Sequence, residues 1–280
     1  MKISIIILTF NEEQNIKKCL RTLKSLSDDV VVIDSYSNDE TIEICKNNNC
    51  RIFQNQFINH AHQINWGLKK IDFKYDWILR LDADERIPND LAKEIRSLNP
   101  SNDINGYYIN KRMYWMNKWL RYGRIYPHFI LRLFRNGAGL YEEKTEEHLI
   151  INGKCKKLKN DFYEKNERNG ISFFTKKHMQ TAEGEVKEIL EKNKNKNEVM
   201  PKLFGNKVER TRWFKLKAYN NFPLFLRPFL YFIYRYFFCL GFLDGLPGLT
   251  FHFLQAFWYR FYIDSRLYED RLRQSTKKDI

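Results

Sequence analysis

A chain of 280 residues whose charged and apolar fractions are those of a globular protein holds one large domain or two smaller ones with an ample core. Its 48 lysines and arginines outweigh 34 aspartates and glutamates, a net charge of +14 that favours nucleic acid, anionic lipid or phosphorylated substrates as partners. No arginine-rich arm, zinc-finger spacing or aromatic RNA-binding signature accompanies that charge, so nucleic acid is not an expected partner.

The opening run Ile3 to Leu8 is apolar and rich in β-branched residues, which predicts a buried strand; it is too short, and lacks the small-residue cleavage site, for a signal peptide. Asn11 is then expected to open a helix, with Glu12 and Glu13 in its first turn and Ile16, Leu20 and Leu23 along one face. "DDVVVIDS" predicts a second strand ending at Asp34, and "DETIEICKNNN" a second helix. "CRIFQN", "NHAHQINWGLKKI", "DWILRLDADE" and "PNDLAKEIRSL" continue the alternation as strand, helix, strand and helix, the last with proline near its start. Such alternation predicts a parallel sheet covered by helices on both faces, and sheets of that kind bind ligands at the carboxyl ends of their strands. Thr9, Asn11, Asp34, Asp82 and Asp84 all fall there.

Beyond Pro100 the pattern changes. "GYYINKRMYW" and "HFILRLFRNG" read as strands, "YEEKTEEHLIINGK" as a loop entering another strand, and residues 171–193 as a helix followed by a hydrophilic linker. Aromatic residues crowd the segment from Phe222 to Tyr262. Arg227, Arg235 and Asp244, with Pro223, Pro228 and Pro247, break it below the ~20 apolar residues of a membrane span. Helices lying in a membrane interface, or a re-entrant hairpin, are the expectation; an ordinary aromatic core is the alternative. The five cysteines, Cys19, Cys45, Cys50, Cys155 and Cys239, are odd in number and form no C-x-x-C pair, which fits a reduced, cytoplasmic setting.

Acidic residues crowded at one strand end, as in "LRLDADERIPND", repel one another and require a cation. If Asp82 and Asp84 alternate along a strand, both face one ion, and two carboxylates with phosphate oxygens suit Mg2+ or Mn2+. A solvated acidic turn is the bland reading. A phosphatase-type nucleophile wants Thr where Arg86 stands. "TFNEE" and "IDSYSNDET" each sit between strand and helix, and Thr9, Asn11, Asp34, Ser35 and Asp39 offer short polar groups for a base or ribose, or for helix capping.

Together "IIILTFNEEQNI", "VVVIDSYSNDET", "QINWGL" and "WILRLDADERI" resemble the inverting nucleotide-sugar glycosyltransferases of family 2, with the glycosyltransferase-A fold. "RYGRIYPHFILRLFRNG", "EEKTEEHLIINGK", "ISFFTKKH" and the C-terminal aromatic stretch are similar to the bacterial subgroup that builds lipopolysaccharide core, O-antigen or capsule. The resemblance implies that Thr9, Phe10, Asn11 and Glu12 surround the uracil and ribose of a UDP-type donor, Phe10 standing where the family often has Tyr. It implies Asp34 on the base, Asp82 near the ribose, and Asp84 on the metal, with Asp82 and His148 as further candidate ligands. An inverting transfer needs one carboxylate beside the acceptor; Glu147 is preferred slightly over Glu146, and a solvated loop is the alternative for the triplet. Arg124, His128, Arg132 and Arg135 form a basic cluster that receives a donor or acceptor phosphate if Phe129, Leu131 and Leu133 face the core; a basic solvent face is the alternative.

The expected fold class is α/β: a Rossmann-like, mostly parallel sheet with helices on both faces and a C-terminal aromatic helical segment. Residues 1–100 are assigned to a nucleotide-sugar half, 101–200 to an acceptor half and 201–280 to a membrane-associating segment. The expected activity is metal-dependent (Mn2+ or Mg2+), inverting transfer of a hexosyl-type sugar from a nucleotide-sugar donor to a lipid-linked glycan acceptor. The expected place is an anionic membrane surface, the cytoplasmic face of the bacterial inner membrane. Transfer directly to polyprenyl phosphate and a non-catalytic basic membrane-binding module are the alternatives.

Overall fold

The computed structural model describes residues 1–142, 149–167, 170–191, 204, 213 and 219–276. The chain divides into two compact units, Met1–Arg121 with Ile125–Asn169, and Tyr122–Arg124 with Gly170–Ile280.

In the first unit, β1 (Ser4–Thr9), α1 (Glu13–Leu23), β2 (Asp29–Asp34), α2 (Thr41–Lys46), β3 (Arg51–Gln54), α3 (His60–Lys70), β4 (Trp77–Asp82), β5 (Glu85–Arg86) and α4 (Asn89–Ser97) follow one another. Then come β6 (Ile104–Trp115), β7 (Lys118–Leu120), β8 (Phe129–Arg135), β9 (Gly139–Tyr141), β10 (Leu149–Ile151) and β11 (Lys154–Glu164). Among the described residues the main sheet has nine strands, in the order β3-β2-β1-β4-β8-β6-β11-β5 with β7 beside β6, and β9 pairs with β10 apart from it. Strands β1 to β4 are mutually parallel; β8 enters antiparallel to both β4 and β6, β6 and β11 are parallel, and β5 pairs antiparallel with β11. The sheet is therefore parallel at one side and mixed at the other.

Alternate residues of β1 enter opposite cores, as the two-residue period of a strand requires. Ile3, Ile5 and Ile7 pack with Ile16, Leu20 and Leu23 of α1, Cys45 of α2 and Leu91 and Ile95 of α4. Ile6 and Leu8 pack with Val31, Ile33 and Ala61 and Ile64 of α3. Helix α3 lies so close to the sheet that a Cβ on Gly67 would come within 2.3 Å of Ile33 Cδ1, and a larger residue there requires that side chain to shift. Asn11 does not open α1 as a cap: it takes φ 54°, and the helix begins at Glu13.

In the second unit, α5 (Ile171–Glu191) packs along α8 (Tyr259–Thr276) through Ala182, Val186, Tyr259, Ile263 and Leu267. Buried Glu185 accepts from Tyr259 Oη at 3.0 Å and pairs with Arg260 Nη1 at 2.8 Å. Between them α6 (Leu226–Ile233) widens into a π turn, Tyr234–Phe238, and α7 (Gly245–His252) into another, Phe253–Trp258.

Candidate functional site

The carboxyl ends of β1 and β2 are tied together by short polar side chains. Thr9 Oγ1 donates to Asp34 Oδ1 at 2.9 Å, Ser37 donates to Asp34 through its backbone N–H at 2.8 Å and its hydroxyl at 2.5 Å, and Gln54 Nε2 reaches Asp34 Oδ2 at 3.5 Å. Asp34 is fully buried, so its carboxylate meets a base only if one of these donors gives way, and Gln54 is the most distant. Asn11 works across the same gap. Its N–H donates to Ser37 Oγ at 2.8 Å and its Oδ1 accepts from Asn38 N at 2.9 Å. Asp39 caps both neighbouring helices at once, accepting from Glu13 N at 3.1 Å and Thr41 N at 3.0 Å. Glu12 N donates to Thr41 Oγ1 at 2.7 Å, and its Oε2 accepts from Asn15 Nδ2 at 2.8 Å. Above this scaffold Phe10 (56% exposed) and Tyr36 (59% exposed) leave two ring faces in solvent at adjacent strand ends.

The acidic corner differs from the sequence expectation. Strand β4 stops at Asp82, and Ala83 and Asp84 form a turn into β5, so the two aspartates are not alternate residues of one strand. Asp82 Oδ1 pairs with Arg80 Nη2 at 2.9 Å and Oδ2 with Arg132 Nη2 at 3.0 Å. The same Arg132 nitrogen lies 2.5 Å from Glu85 Oε1, and Glu85 Oε2 accepts from Asp82 N at 3.0 Å. Burial and the Asp82 charge push the Glu85 carboxyl well above the usual carboxylate range, against the pull of Arg80 and Lys111. Two buried arginines thus supply the positive charge that Asp82 requires. Asp84 is half-buried on the turn, held by Asn166, whose Nδ2 donates to Asp84 Oδ2 at 3.1 Å and whose Oδ1 accepts from Asn15 Nδ2 at 3.2 Å.

The expected basic cluster is dispersed. Strand β8 lies between β4 and β6 and is covered on both faces, so Leu131, Arg132, Leu133 and Phe134 are all buried and the alternation rule that turned Arg132 to solvent fails. Arg135 pairs in register with Trp77, at the amino end of β4 and away from Asp82, its guanidinium 5.0 Å from the Trp77 ring. Arg124 belongs to the second unit, where its Nη1 donates to Tyr234 Oη at 3.2 Å. Glu146, Glu147 and His148 lie outside the described residues.

Among the described residues no three His, Cys, Asp or Glu side chains gather as a metal cage. One strand-end carboxylate, Asp84, with the oxygens of a bound diphosphate, fits a hard cation that keeps several non-protein ligands. The sequence signal for Arg80 and Glu85 lay in "LRLDADE" itself; that for Arg132 and Asn166 did not exist locally, since Arg132 reaches the corner from β8 and Asn166 from the loop after β11.

An α/β sheet with short polar side chains, two exposed aromatic rings and an acidic turn at its strand ends belongs to the class that holds ligands at the carboxyl ends of its strands. Residues 4–145 match the model of glycosyl transferase family 2, and the chain belongs to that family. It is 30% identical over 106 residues to the uncharacterized glycosyltransferase RT0209 of Rickettsia typhi, a match covering 38% of this chain and 36% of that protein. The matched part is thus little more than a third of the length of that relative. It is 27% identical over 165 residues to the lipopolysaccharide core biosynthesis glycosyltransferase LpsC of Rhizobium meliloti, covering 55% of this chain and 58% of LpsC. The mannosyltransferase PcManGT of Pyrobaculum calidifontis, solved with GDP-Man and Mn2+, superposes with a TM-score of 0.59 at 15% identity, over 96% of this chain and 87% of that one. The fold is glycosyltransferase-A.

Proposed function

We propose that this protein transfers a hexosyl-type sugar, with inversion, from a UDP-sugar to a lipid-linked glycan in the building of a bacterial surface polysaccharide. The observation that carries the reading is the corner itself: the braced β1 and β2 loops, the exposed Phe10 and Tyr36 rings and the half-buried Asp84 stand at neighbouring strand ends of a family 2 chain. The rings of Phe10 and Tyr36 offer faces on which a base stacks. Thr9, Asn11, Glu12 and Asp34 keep the loops beneath it in one conformation, and Asp82, fixed by Arg80 and Arg132, sets the start of the turn that presents Asp84. Asp84 would hold Mn2+ or Mg2+, which supplies charge neutralisation for a departing diphosphate. Asp82, with both oxygens on arginines, acts as a positioning residue in this reading and leaves Asp84 as the ligand.

The chemistry left to the protein is deprotonation. A carboxylate from Glu147 or Glu146 takes the acceptor hydroxyl proton as that oxygen attacks the anomeric carbon. The bond to the diphosphate oxygen breaks on the opposite face, and nucleoside diphosphate leaves. The LpsC relationship supports a glycan acceptor of the cell envelope.

Calorimetric titration of UDP and GDP, with and without Mn2+, tests the reading. UDP is expected to bind with Mn2+ and at least ~10-fold more weakly without it or in Asp84→Asn, while turnover in that variant falls ~1,000-fold or more. Unchanged UDP affinity and turnover in Asp84→Asn would remove the metal role. Assay with lipid phosphate against lipid-linked oligosaccharide decides the acceptor.

A further inference from the structure

The second unit carries a surface that glycosyl transfer itself does not explain. Residues 226–249 contain three charged side chains, Arg227, Arg235 and Asp244. All three are turned inward. Arg227 is buried against Asp264, its Nε 2.8 Å from Oδ1. Half-buried Arg235 donates through Nε to Gly123 O at 2.8 Å, and buried Asp244 accepts from Tyr122 N at 2.9 Å through Oδ2. What remains outside is apolar: Phe237, Phe238, Leu240, Phe242, Leu243 and Leu246 are all exposed, Phe238 by 77% and Leu246 by 76%. A surface that hides its ions and shows its phenylalanines inverts the usual arrangement in water and marks an interaction face.

The shape of this segment limits what covers it. Leu226–Phe238 and Gly241–Ser275 meet at a bend of 70°, with positive φ at Leu240 (61°) and Gly245 (66°). Among the described residues no single helix is long and apolar enough to cross a membrane. At ~1.5 Å per residue Leu226–Phe238 is about 20 Å long, against a hydrocarbon core of ~30 Å. Leu226–Phe238 alone is therefore too short to span, and only the bent pair together has the length and composition of a broken span or a re-entrant loop. Charge selects the membrane's chemistry. The sequence just ahead of the hairpin, 202–217, holds six basic residues against one acidic, in a chain of net charge +14. Basic residues next to an apolar helix are held by anionic headgroups, each contributing within a Debye length of the surface.

We infer that the bent hairpin 226–249 is a monotopic anchor that inserts its Phe238–Leu246 tip into one leaflet of an anionic bilayer. The inference deepens the lipid-linked acceptor reading, since an acceptor held in the membrane must be met at its surface. It stands on observations of its own, and UDP binding reports on the two separately.

Flotation of the full chain with vesicles of phosphatidylcholine and 30% phosphatidylglycerol tests it. The wild type is expected to float with these vesicles and to bind pure phosphatidylcholine at least ~10-fold more weakly. Phe238→Glu/Leu246→Glu is expected to lose binding by ~10-fold or more while keeping its circular dichroism and its UDP titration. Should that double variant fail to fold, Phe238→Ser is expected to cut binding ~3- to 10-fold. Wild-type protein that stays out of the vesicles, or a folded variant that floats like wild type, overturns the inference. So does a face that holds two copies together, seen as a wild-type dimer that the variant converts to monomer without any change in vesicle binding. Equal binding to neutral vesicles overturns the anionic requirement. Loss of UDP binding in the wild type would instead strike the donor reading and leave the anchor standing.

Discussion

Each unit buries an arginine against carboxylate, and the two arrangements are built differently. In the second unit Arg227 meets Asp264 through Nε, at 2.8 and 3.0 Å, and through Nη2, and Asp264 also accepts from Phe225 N at 2.9 Å. That pair is a closed fork with its geometry saturated. In the first unit a single nitrogen of Arg132 serves both Asp82 and Glu85, and its buried Nε and Nη1 have no hydrogen-bond partner among the described residues. Buried donors are nearly always paired, and breaking a pair costs more than the pair contributes, so a closed fork reads as structure. A buried arginine with donor capacity left over, beside an open acidic turn, reads as part of a site.

Arg227 carries the largest expected effect. Replacement by Met leaves Asp264 buried without its cation and is expected to cost about 3–5 kcal/mol in urea unfolding, with UDP affinity unchanged in whatever fraction folds. A loss near zero would show that saturation does not mark a structural pair. A second effect lies inside the second unit, where His252 is fully buried and neither ring nitrogen has a partner among the described residues. Burial, and then the Arg235 charge, pull its imidazole down from 6.5 to about 3. The folded state therefore refuses a proton that the unfolded state takes, and stability is lost as pH falls below about 6.5, continuing until the folded value is reached. Between pH 7 and pH 5 the wild type is expected to lose about 2 kcal/mol more than His252→Leu, read from paired denaturation curves. Parallel curves would mean that the ring is hydrated. Arg132→Lys keeps the charge but loses the planar guanidinium whose Nη2 reaches both Asp82 and Glu85. UDP affinity with Mn2+ is expected to fall ~10-fold, about 1.4 kcal/mol, whereas Arg227→Lys is expected to leave it unchanged.

What the sequence made legible was local. The β-branched runs and the 3.6-residue apolar period of Ile16, Leu20 and Leu23 are set within a few residues, and the order of strands and helices through Ser97 follows those patterns, except that α1 starts at Glu13 and the fourth strand is broken by the turn at Ala83 and Asp84. The demand of the acidic corner for positive charge was also legible. Its source was not, because Arg132 arrives from a strand whose neighbours are fixed by pairing rather than by period, and a strand buried on both faces carries no alternation to read. Asp34 shows the same limit from the other side: its place at a strand end was plain, and its enclosure by Thr9, Ser37 and Gln54 was not. In the aromatic segment the interruptions were visible by inspection, but only folding shows that Arg227, Arg235 and Asp244 all point inward.

Among the described residues the little strand β5 pairs with β11 alone, where Glu85 lies opposite Glu164, and Asn166 just beyond secures Asp84. While the polypeptide is emerging from the ribosome, the acidic turn must therefore wait about eighty residues for its support. A protein cut off at the end of the family-matched stretch would carry every aspartate of the corner and still leave that turn without its edge. The acidic corner is complete only once β11 and Asn166 have been made.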